Sequence, residues 1–285
     1  MNKSTRTRLS LLAAALALTL TSALPALAQS GGDRWRFSVM PYLWLPTIDA
    51  TLKFRTPNGN PEVDVKANPD DYLSDLDLAL LLAFEARKGK WLVFSDVTYM
   101  ALSAGSSSVR AVDFNLGPGP ANPTSATRNT GTQTDVDTTI WTLAGGYNLA
   151  QGPRFSLDLI GGARYLRLEA TTNWQLTANV VGPGGGAVFP AAGSVTAKGE
   201  VWDGIVGVKG RFNLGEGKWF VPYHLDAGTG DSELTWQAQT GIGYAFRWGD
   251  LLLGYRYLAW EQDDDTKVIR DLKLYGFGFG GIFHF

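Results

Sequence analysis

Cysteine is absent from all 285 residues. That excludes a disulfide framework, a thiolate metal site and a lipid anchor carried on an N-terminal cysteine. Histidine is almost absent too. Only His224 and His284 occur, so imidazole-based acid–base chemistry has two places to be built. Beyond residue 28 no apolar run approaches the ~18 residues that a membrane-spanning helix needs. No sign of charge dominates. The formal net charge is −2, which gives no footprint for a nucleic-acid partner. The Gly-rich stretches precede no helix, so they form no phosphate loop, and no cofactor is expected.

What is abundant is glycine (34 residues) and aromatic side chains (12%, with ten Trp). Both suit short alternating strands better than helices. The N-terminus is different in kind. Lys3, Arg6 and Arg8 precede an apolar run from Leu11 to Leu20, followed by Pro25 and the small-residue triplet Ala26-Leu27-Ala28. This is the pattern of a secretory signal peptide cut after Ala28. The expected organisation is therefore a signal over residues 1–28 and one domain over 29–285.

That domain divides into ten segments of alternating character, near the 9–11 residues of a transmembrane β-strand. They are Arg34–Phe54 with a bend at Pro46, Leu76–Arg87, Trp91–Leu102, Thr138–Leu149, Arg154–Leu168, Val201–Leu214, Lys218–Ala227, Leu234–Arg247, Leu251–Trp260 and Leu272–Phe285. Connections after the even-numbered segments are short: Lys88-Gly89-Lys90, Ala150–Pro153, Gly215-Glu216-Gly217 and Trp248-Gly249-Asp250. The others are mostly long, notably Ser103–Asp137 and Glu169–Glu200. Short turns at one end and long loops at the other are the pattern of closed antiparallel barrels in outer membranes. An even count puts both termini at the short-turn end. Ten strands is the expectation, with eight and twelve as the alternatives. A soluble β-sandwich is the rival fold, but it requires neither bimodal loops nor aromatic girdles.

The alternation assigns faces. On the last segment Tyr275, Phe277, Phe279, Phe283 and Phe285 face outward, with Gly276, Gly278, Gly280 and His284 inward. A strand ending on Phe285 with aromatics at alternate positions resembles the signal read by outer-membrane barrel-assembly machinery. Gly281 departs from that pattern. Several segments also resemble a family of uncharacterised proteobacterial outer-membrane barrels, small and porin-like: Pro41-Tyr42-Leu43-Trp44, Ala83 to Trp91, Val201 to Gly207, Gly228 to Ser232 and Gly254-Tyr255-Arg256-Tyr257. The resemblance implies an outer-membrane address, with lipid and lipopolysaccharide as surroundings, and no activity.

Inward alternation places thirteen charges in the lumen. The acids are Asp77, Glu85, Asp96, Asp158, Asp203 and Asp226, and the bases Arg36, Arg87, Arg164, Lys209, Arg211, Arg247 and Arg256. Matched signs can pair into a polar core, and a barrel this narrow is largely filled by side chains. A narrow pore is the alternative, although a selective one would favour a single sign. The leading expectation is thus a structural or narrow-pore barrel without catalysis. Two further readings stand beside it. His224 and Asp226 lie two apart on one face, where a carboxylate could orient an imidazole base in a rim-located protease or lipid A hydrolase. The long loops, Gly-rich over Gly117–Gly131 and Gly182–Gly193, could instead carry adhesion. Two acidic groups, Glu62, Asp64, Asp70, Asp71 and Asp75, and Glu261, Asp263, Asp264 and Asp265, match no calcium-loop spacing and read as a solvated rim.

Overall fold

The computed structural model describes residues 34–53, 62–104, 127–182, 185–215, 217–262 and 269–285. The expected signal, residues 1–28, lies outside them. Twelve strands form one antiparallel sheet: β1 (Arg36–Trp44), β2 (Thr47–Lys53), β3 (Glu62–Ala67), β4 (Leu76–Lys88), β5 (Trp91–Ala104), β6 (Thr127–Gln151), β7 (Phe155–Gly182), β8 (Gly185–Asn213), β9 (Trp219–Gly230), β10 (Leu234–Ala245), β11 (Asp250–Glu261) and β12 (Ile269–His284). No helix among the described residues is long and apolar enough to cross a membrane.

The twelve strands make a ten-stranded barrel. β1 and β2 are halves of one strand, because both pair with β12 in a single register: Trp44 opposes Gly278 and Thr47 opposes Tyr275. Between them the Leu45 N–H still donates to the Phe277 carbonyl at 3.3 Å. The bend falls at Pro46, which has no N–H to lose. Gly276 lets the bend sit close, since a Cβ there would lie 2.4 Å from the Leu45 carbonyl oxygen. β3 pairs with β2 alone and forms an outlying arm. β1 closes the ring by pairing with both β4 and β12. At the seam Phe37 and Phe285 exchange two backbone bonds, of 3.1 and 2.8 Å.

The outer wall is apolar. Phe277 is 68% exposed and Val206 61%. Aromatic pairs lie at two levels. Near the short turns Trp91 meets Tyr147 and Trp219 meets Tyr244, each with centroids 4.9 Å apart. Toward the other end Trp236, Tyr257 and Tyr275 stack across three strands at 4.6 and 5.6 Å. Tyr244 and Trp236 are eight positions apart on β10. At ~3.4 Å per residue and a tilt near 40°, that is roughly 20 Å of height. Among the described residues, the large apolar side chains on this wall have only solvent or lipid to face.

Two connections differ from expectation. Residues 127–137 and most of Glu169–Glu200 are strand, not loop, so β6, β7 and β8 reach 25, 28 and 29 residues. Unbroken β6–β7 and β7–β8 pairing carries them past their neighbours. Gly185–Gly193 belongs to β8; the Gly-rich stretch 117–126 lies outside the described residues. In the first connection, a short helix α1 (Pro69–Tyr72) follows β3. The Asn68 N–H donates to the Asp71 carboxylate at 2.8 Å. Tyr72 is buried, and its hydroxyl donates to the Pro46 carbonyl at 2.7 Å.

Candidate functional site

The lumen is stacked in tiers. Furthest from the short turns lies an apolar layer built from inward positions of β1, β2, β4, β6, β7, β8, β11 and β12, with Trp260, Leu258, Leu166 and Ile140 almost wholly buried and Trp44 and Leu81 beside them. Such a layer runs against the simple expectation of a polar interior. It closes the barrel from within, as the core of a soluble domain would.

Beneath it sits the charged tier. Arg164 is fully buried. Its Nη2 donates to both oxygens of Asp226, at 2.7 and 2.8 Å, and its Nη1 to Thr235 Oγ1 at 3.2 Å. Arg256 Nη1 lies 2.9 Å from Asp96 Oδ2, its Nε donates to Gln237 Oε1 at 2.9 Å, and its guanidinium lies 4.8 Å from the Trp44 ring centroid. Tyr42 donates to Asp96 Oδ1 at 2.6 Å.

His224 completes this tier. Its Nε2 is 2.9 Å from Asp226 Oδ2, and its Nδ1 is 3.3 Å from Gln237 Nε2. Because Gln237 Oε1 accepts from Arg256, its amide nitrogen faces His224 as a donor. Nδ1 therefore accepts, which leaves the proton of the neutral ring on Nε2, 2.9 Å from Asp226 Oδ2 but not aligned for a hydrogen bond. Both Asp226 oxygens are held by Arg164. Strand β9 thus carries His224 into the lumen beneath the apolar layer rather than to the outer rim where the sequence reading placed it.

A third tier lies nearest the short turns. Arg87 pairs with Glu85 and, through Nη2, with Asp158 Oδ2 at 2.6 Å. Asn148 Nδ2 donates to Asp158 Oδ1 at 2.6 Å. Lys209 Nζ lies 2.5 Å from Glu85 Oε2 and 4.5 Å from the Phe94 ring centroid. At the mouth Asp250 lies 3.2 Å from His284 and 3.8 Å from Arg211.

Of the thirteen charges assigned to the lumen, eight join the two paired tiers: Glu85, Arg87, Asp96, Asp158, Arg164, Lys209, Asp226 and Arg256. Arg211 and Arg36 line the mouth. Asp203 is buried but turned to the β9–β10 turn, where its Oδ1 accepts the Ser232 N–H at 2.9 Å. Two assignments are corrected. Asp77 sits at a bulge where β4 slips against β5, so it leaves the alternation and is exposed. Arg247 lies past the end of β10, exposed in the turn. Sequence reasoning passed over the neutral partners Thr142 and Asn148. Parity alone places them inward. Among the described residues no three of His, Cys, Asp and Glu gather closely enough to hold a metal ion.

A closed ten-stranded antiparallel barrel with an apolar belt and a self-paired lumen is the class this chain defines. Among solved structures it resembles Ail, the attachment invasion locus protein of Yersinia pestis, solved with the heparin analogue sucrose octasulfate, at 12% identity and TM-score 0.31, covering 89% of this chain and 99% of that one. Neisserial surface protein A gives 11% and 0.28, covering 90% and 100%. A mutant of TodX, a monoaromatic hydrocarbon channel, gives 11% and 0.31, covering 94% and 93%. No family model and no curated protein sequence matches the chain.

Proposed function

We propose that this protein is an integral outer-membrane barrel that does not conduct and does not catalyse. One observation carries the reading: two successive barriers fill the lumen, the apolar layer around Trp260 and Leu258 and the paired layer around Arg164 and Arg256. An ion crossing would have to disperse both, at the cost of unpairing charges held at low dielectric. The apolar belt, its aromatic girdles, the even strand number and the gathering of short turns at the one end of the barrel where β1 starts and β12 stops support the outer-membrane address. In that setting the short turns face the periplasm, lipopolysaccharide surrounds the far girdle, and the aromatic strand β12 is the segment offered to the assembly machinery. Reconstitution in planar bilayers tests the reading. We expect no resolved current steps, and regular open channels would overturn it.

A second reading rests on β6–β8. β8 pairs with β9 only from Asp203 onward, and β6 with β5 only from Thr134 onward. The outer parts of β6 and β8 therefore have no strand partner on their far edges among the described residues. A projecting three-stranded sheet with open edges suits surface recognition by strand addition. Deleting residues 175–195 tests this. Cells displaying the shortened protein should lose attachment to extracellular matrix that cells with the full chain retain. Equal attachment would sink the reading.

A further inference from the structure

A cavity of about 740 Å³ opens at the short-turn end and ends blindly below the charged tier. Its ceiling is Tyr42, Asp96, His224 and Arg256, and none of the buried apolar layer but Trp44's neighbour Tyr42 reaches it. The size falls in the ~300–1,000 Å³ range of small-molecule sites. Much of its wall is apolar, with Met40, Phe94, Phe220, Leu252 and Ile282 exposed to the space.

The mouth is strongly biased in charge. Arg34, Arg36, Arg154 and Arg247 are exposed at this end, while Lys90 and Lys218 turn to the outer rings of Tyr147 and Tyr244. Among the described residues no carboxylate pairs with Arg34, Arg36, Arg154 or Arg247. The acids described at this level are Asp250, already beside His284 and Arg211, and the α-carboxylate of Phe285, whose oxygen accepts the Phe37 N–H; the sequence adds Glu216 in one turn. Inside, Glu85 is held by both Lys209 and Arg87, so its charge is answered before any ligand arrives. Arg211 is the less tightly held cation: it lies 3.8 Å from Asp250 and 5.1 Å from the Phe220 ring centroid, and it is half exposed. Arg36 lines the same space.

We infer that this vestibule binds a small amphiphilic anion, with its acidic group between Arg36 and Arg211 and its apolar body against Phe220, Leu252 and Ile282. The basic rim raises the local concentration of anions at the mouth. The cavity wall then distinguishes an amphiphile from a simple inorganic ion, because burying the apolar body supplies the affinity. Entry from the periplasm rests on the outer-membrane reading above; binding itself does not.

The test uses the mature chain folded in phosphatidylcholine nanodiscs, titrated calorimetrically with naphthoate, naphthalenemethanol and naphthylmethylammonium. Naphthoate should saturate at one equivalent and bind at least about tenfold tighter than the cation of the same shape. The double variant Arg36→Gln/Arg211→Gln should weaken naphthoate about tenfold, while Arg247→Gln, outside the cavity, changes it less than about twofold. Ser38→Trp, placed on the cavity wall, should abolish binding while the barrel keeps its heat-dependent gel mobility. Equal binding of the three probes, an unchanged affinity in the double variant or in Ser38→Trp, or partitioning without saturation would each overturn the proposal.

Discussion

At the scale of single residues, the lumen depends on exact pairing. Arg164 is fully buried and answered chiefly by Asp226. Removing one partner of such a pair strands the other charge, which costs about 3–5 kcal/mol. Asp226→Ala should therefore lower unfolding stability by that order in denaturant titrations of the folded barrel. Arg167→Ala, which breaks an exposed pair with Glu169, should cost under about 1 kcal/mol. Tyr72 offers a pH readout outside the barrel wall. Burial pushes its hydroxyl up to about 12, from an ordinary value of 10.0. A raised folded value means that the contact is fully present below pH 10 and is lost as pH rises through about 12. In tyrosine ionisation monitored by absorbance, Tyr72→Phe should remove one group from the late-titrating set; the variant should also lose about 1 kcal/mol of local stability with its hydrogen bond.

At the scale of elements, close strand approach fixes where bulk is allowed. A Cβ at Gly207 on β8 would lie 2.2 Å from the Leu225 carbonyl oxygen and 2.5 Å from the Asp226 Cβ. Backbone must shift to admit it. Gly207→Ala should cost about 1–3 kcal/mol, and because it displaces Asp226 its effect should be less than additive with Asp226→Ala in a double-mutant cycle. The projection of β6–β8 behaves oppositely. It makes no contribution to the lumenal tiers, so deleting residues 175–195 should leave the thermal midpoint of the barrel within a few degrees while changing surface attachment. The ten segments, the short turns and the even count were legible in the sequence, because a period of two with turn residues between is a local signal. The extension of β6–β8 was not. Its sequence carries Thr, Gly and Ala in the manner of a loop, and it becomes strand only because each strand finds the next along its whole length.

At the scale of the molecule, two barriers in series decide whether anything passes. Leu258→Ala combined with Trp260→Ala removes the centre of the apolar layer at about 2–5 kcal/mol each. The paired tier of Arg164 and Arg256 remains, so planar-bilayer recordings should stay silent. Current steps from this variant would show that the charged tier is no barrier. The overall charge of −2 conceals the other molecular-scale feature: exposed bases collect around the short-turn end, where the blind cavity opens.

The sequence by itself determined the barrel. Alternation, turn spacing and the terminal aromatics of β12 are nearest-neighbour properties, and they set strand number and which side chains face lipid. Only the tertiary structure decided what the lumen holds. Parity says that Trp260, Leu258, Arg164 and His224 point inward, but the stagger of the strands decides which of them meet. That stagger gathers Trp260, Leu258 and their neighbours into one layer, brings Arg164 from β7 onto Asp226 of β9, and sets His224 beside both Asp226 and Gln237. It also leaves the space beneath them open at one end. Pairing between residues dozens of positions apart has no local signature, so the closed lumen and its vestibule emerge only when the sheet has curled and met itself at Phe37 and Phe285.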